Sequence, residues 1–134
     1  MYKKVLIVAS NYYENITNNL IEGATVVLRD SQINYDIEKT NGSFEIPFII
    51  NRNLKLYDGF ISLGCIIRGE TYHFELISNE VTRQIMDISI SSNKPIGFGI
   101  ITCENIEQAE NRSNHSPKKI NKGNEAARAV VDLL

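Results

Sequence analysis

The chain has 134 residues, 43% of them hydrophobic and 22% charged, which fits a single domain over residues 1–134 whose core needs no metal or disulfide. Its 14 basic and 16 acidic residues give a formal net charge of −2, and no run of lysine and arginine is longer than two. This balance excludes a dedicated nucleic-acid binder, which requires a basic surface.

The apolar runs are too short for a signal peptide or a membrane span. The longest, Gly59–Ile67, is about half of the roughly 20 residues that a spanning helix requires. Cys65 and Cys103 are the only cysteines, and both lie in apolar, strand-like runs, which predicts two buried thiols in a reducing compartment. We therefore expect a soluble, cytoplasmic protein that binds neither a membrane nor nucleic acid.

The first half of the chain alternates between strand and helix patterns. Residues 5–9 form a continuous, β-branched apolar run, which is typical of a strand buried on both faces. Apolar residues then recur at helical spacing, and residues 33–37 alternate between apolar and polar before an Asn-Gly turn at residues 41–42. Residues 44–54 are apolar but contain Pro47, which favours a short helix with the proline in its first turn.

The second half repeats this alternation. Residues 60–67 predict another buried strand, and a long helical period follows it. Residues 95–101 predict a further strand, Thr102 is placed to cap a short helix over residues 104–111, and residues 124–134 predict the last helix. Apolar strands that alternate with helices indicate an α/β fold, an open parallel sheet with helices on both faces.

Ligands of such sheets bind beyond the carboxyl ends of the strands. In this chain that edge corresponds to residues 10–13, 41–45, 65–73 and 98–102. Functional residues are therefore expected first in these four segments.

The segment after the second buried strand carries the strongest candidates. Residues 69–71 open a helix, where free N–H groups and the helix dipole favour an anion, although Thr71 also fits a plain helix cap. His73 follows in the first helical turn, where the dipole keeps its ring neutral and able to accept a proton. The alternative for a lone histidine is an ordinary surface residue.

A basic cluster and several aromatic residues are further candidates. Arg112 is followed by Lys118, Lys119 and Lys122, which suits phosphate binding or, alternatively, a solvated basic loop. Aromatic rings at strand ends can stack on a planar ligand or form the edge of the core. The aromatic candidates are Tyr12, Tyr13, Phe44 and Phe98.

Other chemistries lack their motifs. The sequence contains no CxxC, HxH or HExxH spacing for a metal, no GxGxxG for a dinucleotide and no GxSxG for a hydrolase. The sequence therefore does not indicate a metal, dinucleotide or serine-hydrolase function.

Several segments, in order, resemble motifs of the 6,7-dimethyl-8-ribityllumazine synthase family. Residues 41–47, NGSFEIP, resemble its GAFEIP segment, and residues 64–74, GCIIRGETYHF, resemble its GxVIRGxTxHF signature. The family's FGVLT, EQA, R and NKG elements are matched by residues 98–102, residues 107–109, Arg112 and residues 121–123. Such a series of motifs at close to family spacing is specific, and it spans nearly the whole chain.

The resemblance implies a three-layer, flavodoxin-like fold with a four-stranded parallel sheet, and an enzyme that uses no cofactor. Family members join 5-amino-6-(D-ribitylamino)uracil to 3,4-dihydroxy-2-butanone 4-phosphate, which gives the lumazine precursor of riboflavin, phosphate and water. The implied partners are these two small substrates, further copies of the chain in a pentamer or a larger assembly with active sites at subunit interfaces, and riboflavin synthase through functional coupling.

The resemblance also implies the roles of individual residues. His73 occupies the position of the histidine that transfers protons. The implied phosphate ligands are Gly69, Glu70, Thr71 and Arg112. The implied pyrimidine and ribityl contacts are Tyr12, Ser43, Phe44, Glu45, Cys65, Ile66, Ile67, Phe98 and Lys122. Among these, Phe98 matches an aromatic residue that closes the pocket from a neighbouring subunit.

The chain departs from the family pattern at several positions. Residues 11–13 read Asn-Tyr-Tyr where the family commonly has Arg-Phe-Asn. Glu70 replaces a small residue, Tyr72 replaces a proline, and the segment between Arg112 and Asn121 is slightly longer than in typical members.

Two other classes of function are compatible with this fold. One is a flavin- or lumazine-binding module without catalysis, and the other is a structural scaffold subunit. The joint presence of Thr71, His73 and Arg112 favours the enzyme, because a scaffold needs none of them.

Overall fold

The computed structural model describes residues 2–114, 116 and 120–134, and this part of the chain forms a parallel sheet with helices on both faces. The strands are β1 (Lys4–Ser10), β2 (Asn34–Thr40), β3 (Gly59–Ile67) and β4 (Ile96–Cys103). The helices are α1 (Glu14–Asp30), α2 (Ile46–Arg52), α3 (His73–Ser92), α4 (Ile106–Arg112) and α5 (Lys122–Leu133), and a 3₁₀ turn, Ser43–Glu45, precedes α2. No helix in these described ranges has the length and hydropathy required to cross a membrane.

The strands lie in the order β2-β1-β3-β4, and every neighbouring pair is parallel. This is the strand order of flavodoxin-like, doubly wound sheets, so the predicted α/β class is confirmed. Within the sheet, β2 lies on one side of β1 and β3 lies on the other side. The loops that follow β1 and β3 therefore diverge, and a crevice opens between them.

The side chains of the central strand point alternately into two cores. Val5, Ile7 and Ala9 belong to a core beneath α1 and α5, which we call the α1/α5 core. Leu6 and Val8 belong to a second core beneath α2 and α3, which we call the α2/α3 core. Because helices cover both faces of the sheet, β1 is apolar at consecutive positions.

The end of the fourth strand differs from the prediction. Thr102 does not cap a helix, because β4 continues through Cys103, which pairs with Ile67 of β3. The cap of α4 is Asn105, whose side-chain oxygen accepts a hydrogen bond from the Gln108 N–H at 2.9 Å. Thr102 and Asn105 are both good capping residues. Because Thr102 pairs with β3 as part of β4, Asn105 caps the helix.

Helices α1 and α5 approach so closely that only glycine fits between them. A β-carbon on Gly123 would lie 2.1 Å from the Leu20 carbonyl oxygen. Next to it, Asn121 donates from Nδ2 to the Asn19 carbonyl at 3.0 Å, and its Oδ1 accepts from the Asn124 N–H at 2.9 Å. Asn121 and Gly123 therefore fix the start of α5 against α1.

We expect Gly123→Ala to destabilise the protein by about 1–3 kcal/mol, because the added methyl group overlaps the backbone of α1. Helix propensity alone predicts the opposite sign, since alanine is favoured over glycine by about 1 kcal/mol. The midpoint of urea unfolding at fixed protein concentration measures the difference. Ala129→Ser, at an exposed position of α5, is the matched control and should change stability by less than about 0.5 kcal/mol. An unchanged or higher midpoint for Gly123→Ala would contradict the close approach.

Candidate active site

A cleft of about 870 Å³ lies beyond the carboxyl ends of β1, β2 and β3, where the sheet topology places ligands. Three loops supply its walls: the loop after β1, the 3₁₀ turn after β2 and the β3–α3 connection. Its lining residues are Tyr12, Tyr13, Gly42, Ser43, Phe44, Glu45, Cys65, Ile66, Ile67, Arg68, Gly69, Thr71, His73, Phe74 and Ile77. Ten of the site residues implied by the resemblance thus share one cleft: Tyr12, Ser43, Phe44, Glu45, Cys65, Ile66, Ile67, Gly69, Thr71 and His73.

The loop after β1 has a fixed backbone. The Asn11 N–H donates to the Thr40 carbonyl at 2.7 Å, which ties the loop to the end of β2. Thr17 of α1 donates its hydroxyl to the Ser10 carbonyl at 2.6 Å and its N–H to the Tyr13 carbonyl at 2.9 Å. Both ends of the loop are therefore held, and the exposed ring of Tyr12 projects from a defined position.

A glycine in β3 allows two serines to meet beneath the cleft. The buried hydroxyls of Ser10 and Ser43 share a hydrogen bond at 3.2 Å. A β-carbon on Gly64 would lie 2.6 Å from Ser10 Oγ and 2.8 Å from Ser43 Oγ. Gly64 thus lets the 3₁₀ turn pack against the sheet, which presents Phe44 to the cleft. A glycine within an apolar strand is the sequence signal for such a close approach.

The β3–α3 connection places a hydroxyl at the start of α3. The helix begins at His73, so residues 69–71 precede it, contrary to the prediction that they open the helix. The Thr71 hydroxyl accepts a hydrogen bond from the His73 N–H at 3.3 Å. Gly69 and Thr71 are exposed and line the cleft, and Glu70 between them is exposed but is not part of the lining.

Arg68 is the arginine among the described residues that line the cleft, and two carboxylates already pair with its guanidinium. It pairs with Glu75 of α3, and its Nε donates to Glu104, which follows β4, at 2.8 Å. Hydrogen bonds to Glu75 and Glu104 raise the pKa of Arg68 further. The guanidinium also lies 4.5 Å from the centroid of the Phe74 ring. Arg68 therefore ties the start of α3 to the end of β4, a role that the motif alone does not reveal.

The two cysteines form part of the apolar interior, as predicted. Both are buried and neither forms a disulfide, and Cys65 is 3% exposed at the floor of the cleft. Burial, with a smaller contribution from Cys103, raises the pKa of the Cys65 thiol to about 12. A thiol with so high a pKa is a poor nucleophile, so Cys65 serves as an apolar wall.

Besides Glu70, three implied site residues lie outside the lining of their own chain's cleft. Phe98 is the third residue of β4 and lies near the amino end of the strand, so its assignment to the carboxyl edge of the sheet is wrong. Arg112 ends α4 and donates from Nη1 to the Gln108 carbonyl at 3.2 Å. Lys122 begins α5, with its Nζ 3.2 Å from Glu125. Two further candidates, Lys118 and Lys119, fall outside the described residues.

The described ranges contain no group of three or more histidine, cysteine, aspartate or glutamate side chains arranged to hold a metal ion. The chemical groups that the cleft offers are aromatic rings, backbone N–H groups, the Thr71 hydroxyl, the Glu45 carboxylate and the His73 imidazole. This set suits a planar, polyhydroxylated ligand.

Comparison with known proteins identifies the family. The family model described as 6,7-dimethyl-8-ribityllumazine synthase matches residues 2–134. The chain is 42% identical to a protein of that name from Agrobacterium fabrum, over 97% of this chain and 91% of the relative. Relatives of the same name from Bartonella tribocorum and Bartonella henselae are also each 42% identical, over 97% of this chain and over 87% and 85% of the relatives. By these matches over nearly its whole length, the chain belongs to the 6,7-dimethyl-8-ribityllumazine synthase family.

Proposed function

We propose that this chain is a 6,7-dimethyl-8-ribityllumazine synthase that acts in riboflavin biosynthesis. It condenses 5-amino-6-(D-ribitylamino)uracil with 3,4-dihydroxy-2-butanone 4-phosphate and releases phosphate and water. The observation that carries this proposal is the cleft itself, which unites Tyr12, the Ser43–Glu45 turn, Thr71 and His73. These are the segments to which the family motifs assign the pyrimidine, the ribityl chain, the phosphate and proton transfer.

The walls of the cleft suit the pyrimidine substrate. Tyr12 and Phe44 present exposed rings, 75% and 60% accessible, that can stack on a planar heterocycle. The exposed Glu45 carboxylate can accept hydrogen bonds from the ribityl hydroxyls or the ring N–H groups. Ser43 contributes its backbone rather than its hydroxyl, because that hydroxyl is buried against Ser10. Ile66 and Ile67 supply apolar contacts at the end of β3.

The proposed reaction needs proximity and proton transfer. The 5-amino group of the pyrimidine attacks the ketone, and the resulting imine forms with loss of water. Loss of phosphate leaves an enol at the neighbouring hydroxyl-bearing carbon, and this enol converts to a ketone. The ribitylamino nitrogen then attacks that ketone and closes the ring with loss of a second water. Holding the two substrates together contributes up to about 7–11 kcal/mol. His73, exposed in the cleft, gives and takes protons, which adds about 10²–10⁴-fold.

The cleft of one chain is short of positive charge for the phosphate group. Among the described residues that line it, Arg68 is the cation, and Glu75 and Glu104 neutralise it. A bound phosphate dianion therefore requires another cation. We propose that Arg112 of a neighbouring copy supplies it, with Phe98 and Lys122 of the same neighbour completing the pocket.

A ring of subunits allows this sharing of sites. A head-to-tail interface repeated around a closed ring lets each chain lend its residues to the next. Large apolar side chains of α3 are available for such contacts, since Leu76, Met86 and Ile90 are 64%, 62% and 74% exposed. We propose that the chain forms a homopentamer and that pentamers can associate into a larger assembly. The enzyme acts in the cytoplasm and is functionally coupled to riboflavin synthase, which consumes the product.

A two-substrate assay tests the function directly. Purified protein is mixed with both substrates, and lumazine absorbance and phosphate release are followed against a mixture without protein, because the substrates condense slowly unaided. We expect a rate far above that background and saturable in both substrates. A rate equal to background from folded, oligomeric protein would reject the enzyme and favour a lumazine-binding or scaffold protein.

We expect His73→Ala to lower kcat by about 10²–10⁴-fold without abolishing turnover, because proximity of the substrates survives the loss of the proton carrier. Steady-state kinetics measure the change, and equilibrium binding of 6,7-dimethyl-8-ribityllumazine shows that the site is intact. Complete loss of turnover in a variant that still binds the lumazine would contradict this division of the rate acceleration.

We expect Arg112→Ala to raise the KM for the butanone phosphate by roughly tenfold or more, because a charge-assisted contact with the phosphate is lost. The matched control is Arg83→Ala, which removes an exposed arginine that pairs with Glu80 and Asp87 on α3. An unchanged KM for the phosphate substrate would reject the assignment of Arg112.

Mixed oligomers test whether Arg112 acts in the site of a neighbour. The Arg112→Ala and His73→Ala variants are unfolded together, refolded as a mixture and assayed against each variant refolded alone. In a ring with shared sites, random mixing leaves about one quarter of the sites with both a native His73 and a native Arg112. Activity of the mixture should then exceed the mean of the two variants. Activity equal to that mean would place Arg112 and His73 of one chain in the same site.

A further inference from the structure

Two adjacent tyrosine rings pack against each other at the entrance to α1. The ring centroids of Tyr12 and Tyr13 are 4.9 Å apart, and the ring planes meet at 74°, which is an edge-to-face arrangement. Aromatic pairs favour this geometry because the positive edge of one ring meets the negative face of the other. At the second position the family pattern commonly has asparagine, so the pair is a feature of this chain.

Tyr13 is the anchored member of the pair. It is half-buried and packs against the α1/α5 core. Its carbonyl accepts the Thr17 N–H at 2.9 Å, so its backbone is part of the first turn of α1. Burial raises the pKa of its phenol, and the hydroxyl therefore stays neutral at physiological pH.

Tyr12 is the exposed member. Its side chain is 75% accessible and lines the cleft. Within the described residues its hydroxyl makes no hydrogen bond, and its ring packs against the ring of Tyr13. An exposed tyrosine without such a contact samples several rotamers, and ordering it on binding costs affinity.

We propose that Tyr13 is a positioning residue whose ring holds Tyr12 in the orientation that stacks on the pyrimidine. The inference rests on the proposed function, because it takes the heterocycle that stacks on Tyr12 to be the pyrimidine substrate or the lumazine product. Tyr13 acts by preorganisation, since a ring that is already oriented loses less conformational freedom when the ligand binds. The butanone phosphate does not stack on Tyr12, so its binding does not depend on Tyr13.

Binding measurements test this role with three variants. Tyr13→Leu fills the core but removes the aromatic edge, Tyr13→Phe keeps the ring without the hydroxyl, and Tyr35→Leu removes a ring that packs on the same core but does not line the cleft. The Kd for 6,7-dimethyl-8-ribityllumazine and the KM for butanone phosphate are measured for each. We expect Tyr13→Leu to raise the Kd about threefold to tenfold, as the strength of an aromatic pair predicts, with no change in that KM.

The same measurements name the results that would overturn the proposal. Tyr13→Phe should restore the native Kd, and Tyr35→Leu should leave it unchanged. A weakened Tyr13→Phe would instead mean that the hydroxyl contacts the ligand. A native Kd in Tyr13→Leu, or an equal loss in Tyr35→Leu, would show that the ring of Tyr13 has no specific role.

A second measurement needs no ligand. The chain has no tryptophan, so Tyr12→Trp introduces a single indole at the exposed position. Its fluorescence anisotropy should fall when Tyr13→Leu is added and should be retained with Tyr13→Phe. Unchanged anisotropy in the leucine variant overturns the positioning role. A different outcome is that the anisotropy falls as expected although the native protein does not bind 6,7-dimethyl-8-ribityllumazine. That result would reject the proposed function and still support the positioning of Tyr12 by Tyr13.

Discussion

The reversal of strand order at β1 is the constraint on which the rest of the molecule depends. Because β2 and β3 lie on opposite sides of β1, the chain must leave β1 in one direction and later return past it in the other. Right-handed connections then put α1 on one face of the sheet and α2 on the other. The loops after β1 and β3 have no neighbour between them at the carboxyl edge. The cleft is this opening, and each of its walls is a strand-to-helix connection whose position the sheet dictates.

Close packing beneath the cleft makes its walls rigid. Ser10 and Ser43 meet under Gly64, so the turn after β2 rests directly on β3. On the other side, Arg68 joins α3 to the end of β4 through Glu75 and Glu104. Because of these contacts, the hydroxyls of Ser10 and Ser43 and the guanidinium of Arg68 already have partners within the chain. The side chains left to contact a ligand are exposed rings, the Thr71 hydroxyl, a carboxylate and one imidazole. The proposed sharing of Arg112 follows from this shortage of cations.

Local patterns predicted much of this arrangement. Consecutive apolar residues marked β1 and β3 because both faces of a central parallel strand are covered, and Pro47 marked the first turn of α2 because proline lacks the N–H that later turns need. Two element boundaries differ from the predicted ones. The end of β4 depends on pairing with β3 and not on the capping ability of Thr102. The start of α3 at His73 likewise depends on the conformation of the residues before it.

Residue order alone therefore determined the number and type of the strands, the edge of the sheet that holds the site and the residue types placed there. Tertiary structure decided which of those residues meet. The Ser10–Ser43 contact and the ion pair of Arg68 with Glu104 join positions 33 and 36 residues apart, and no local periodicity encodes such pairs. The same holds for Arg112 and Phe98, because only the folded chain shows that neither lines the cleft of its own chain. Propensity and periodicity act over a few residues, whereas a binding site is built from segments that only the folded sheet brings together.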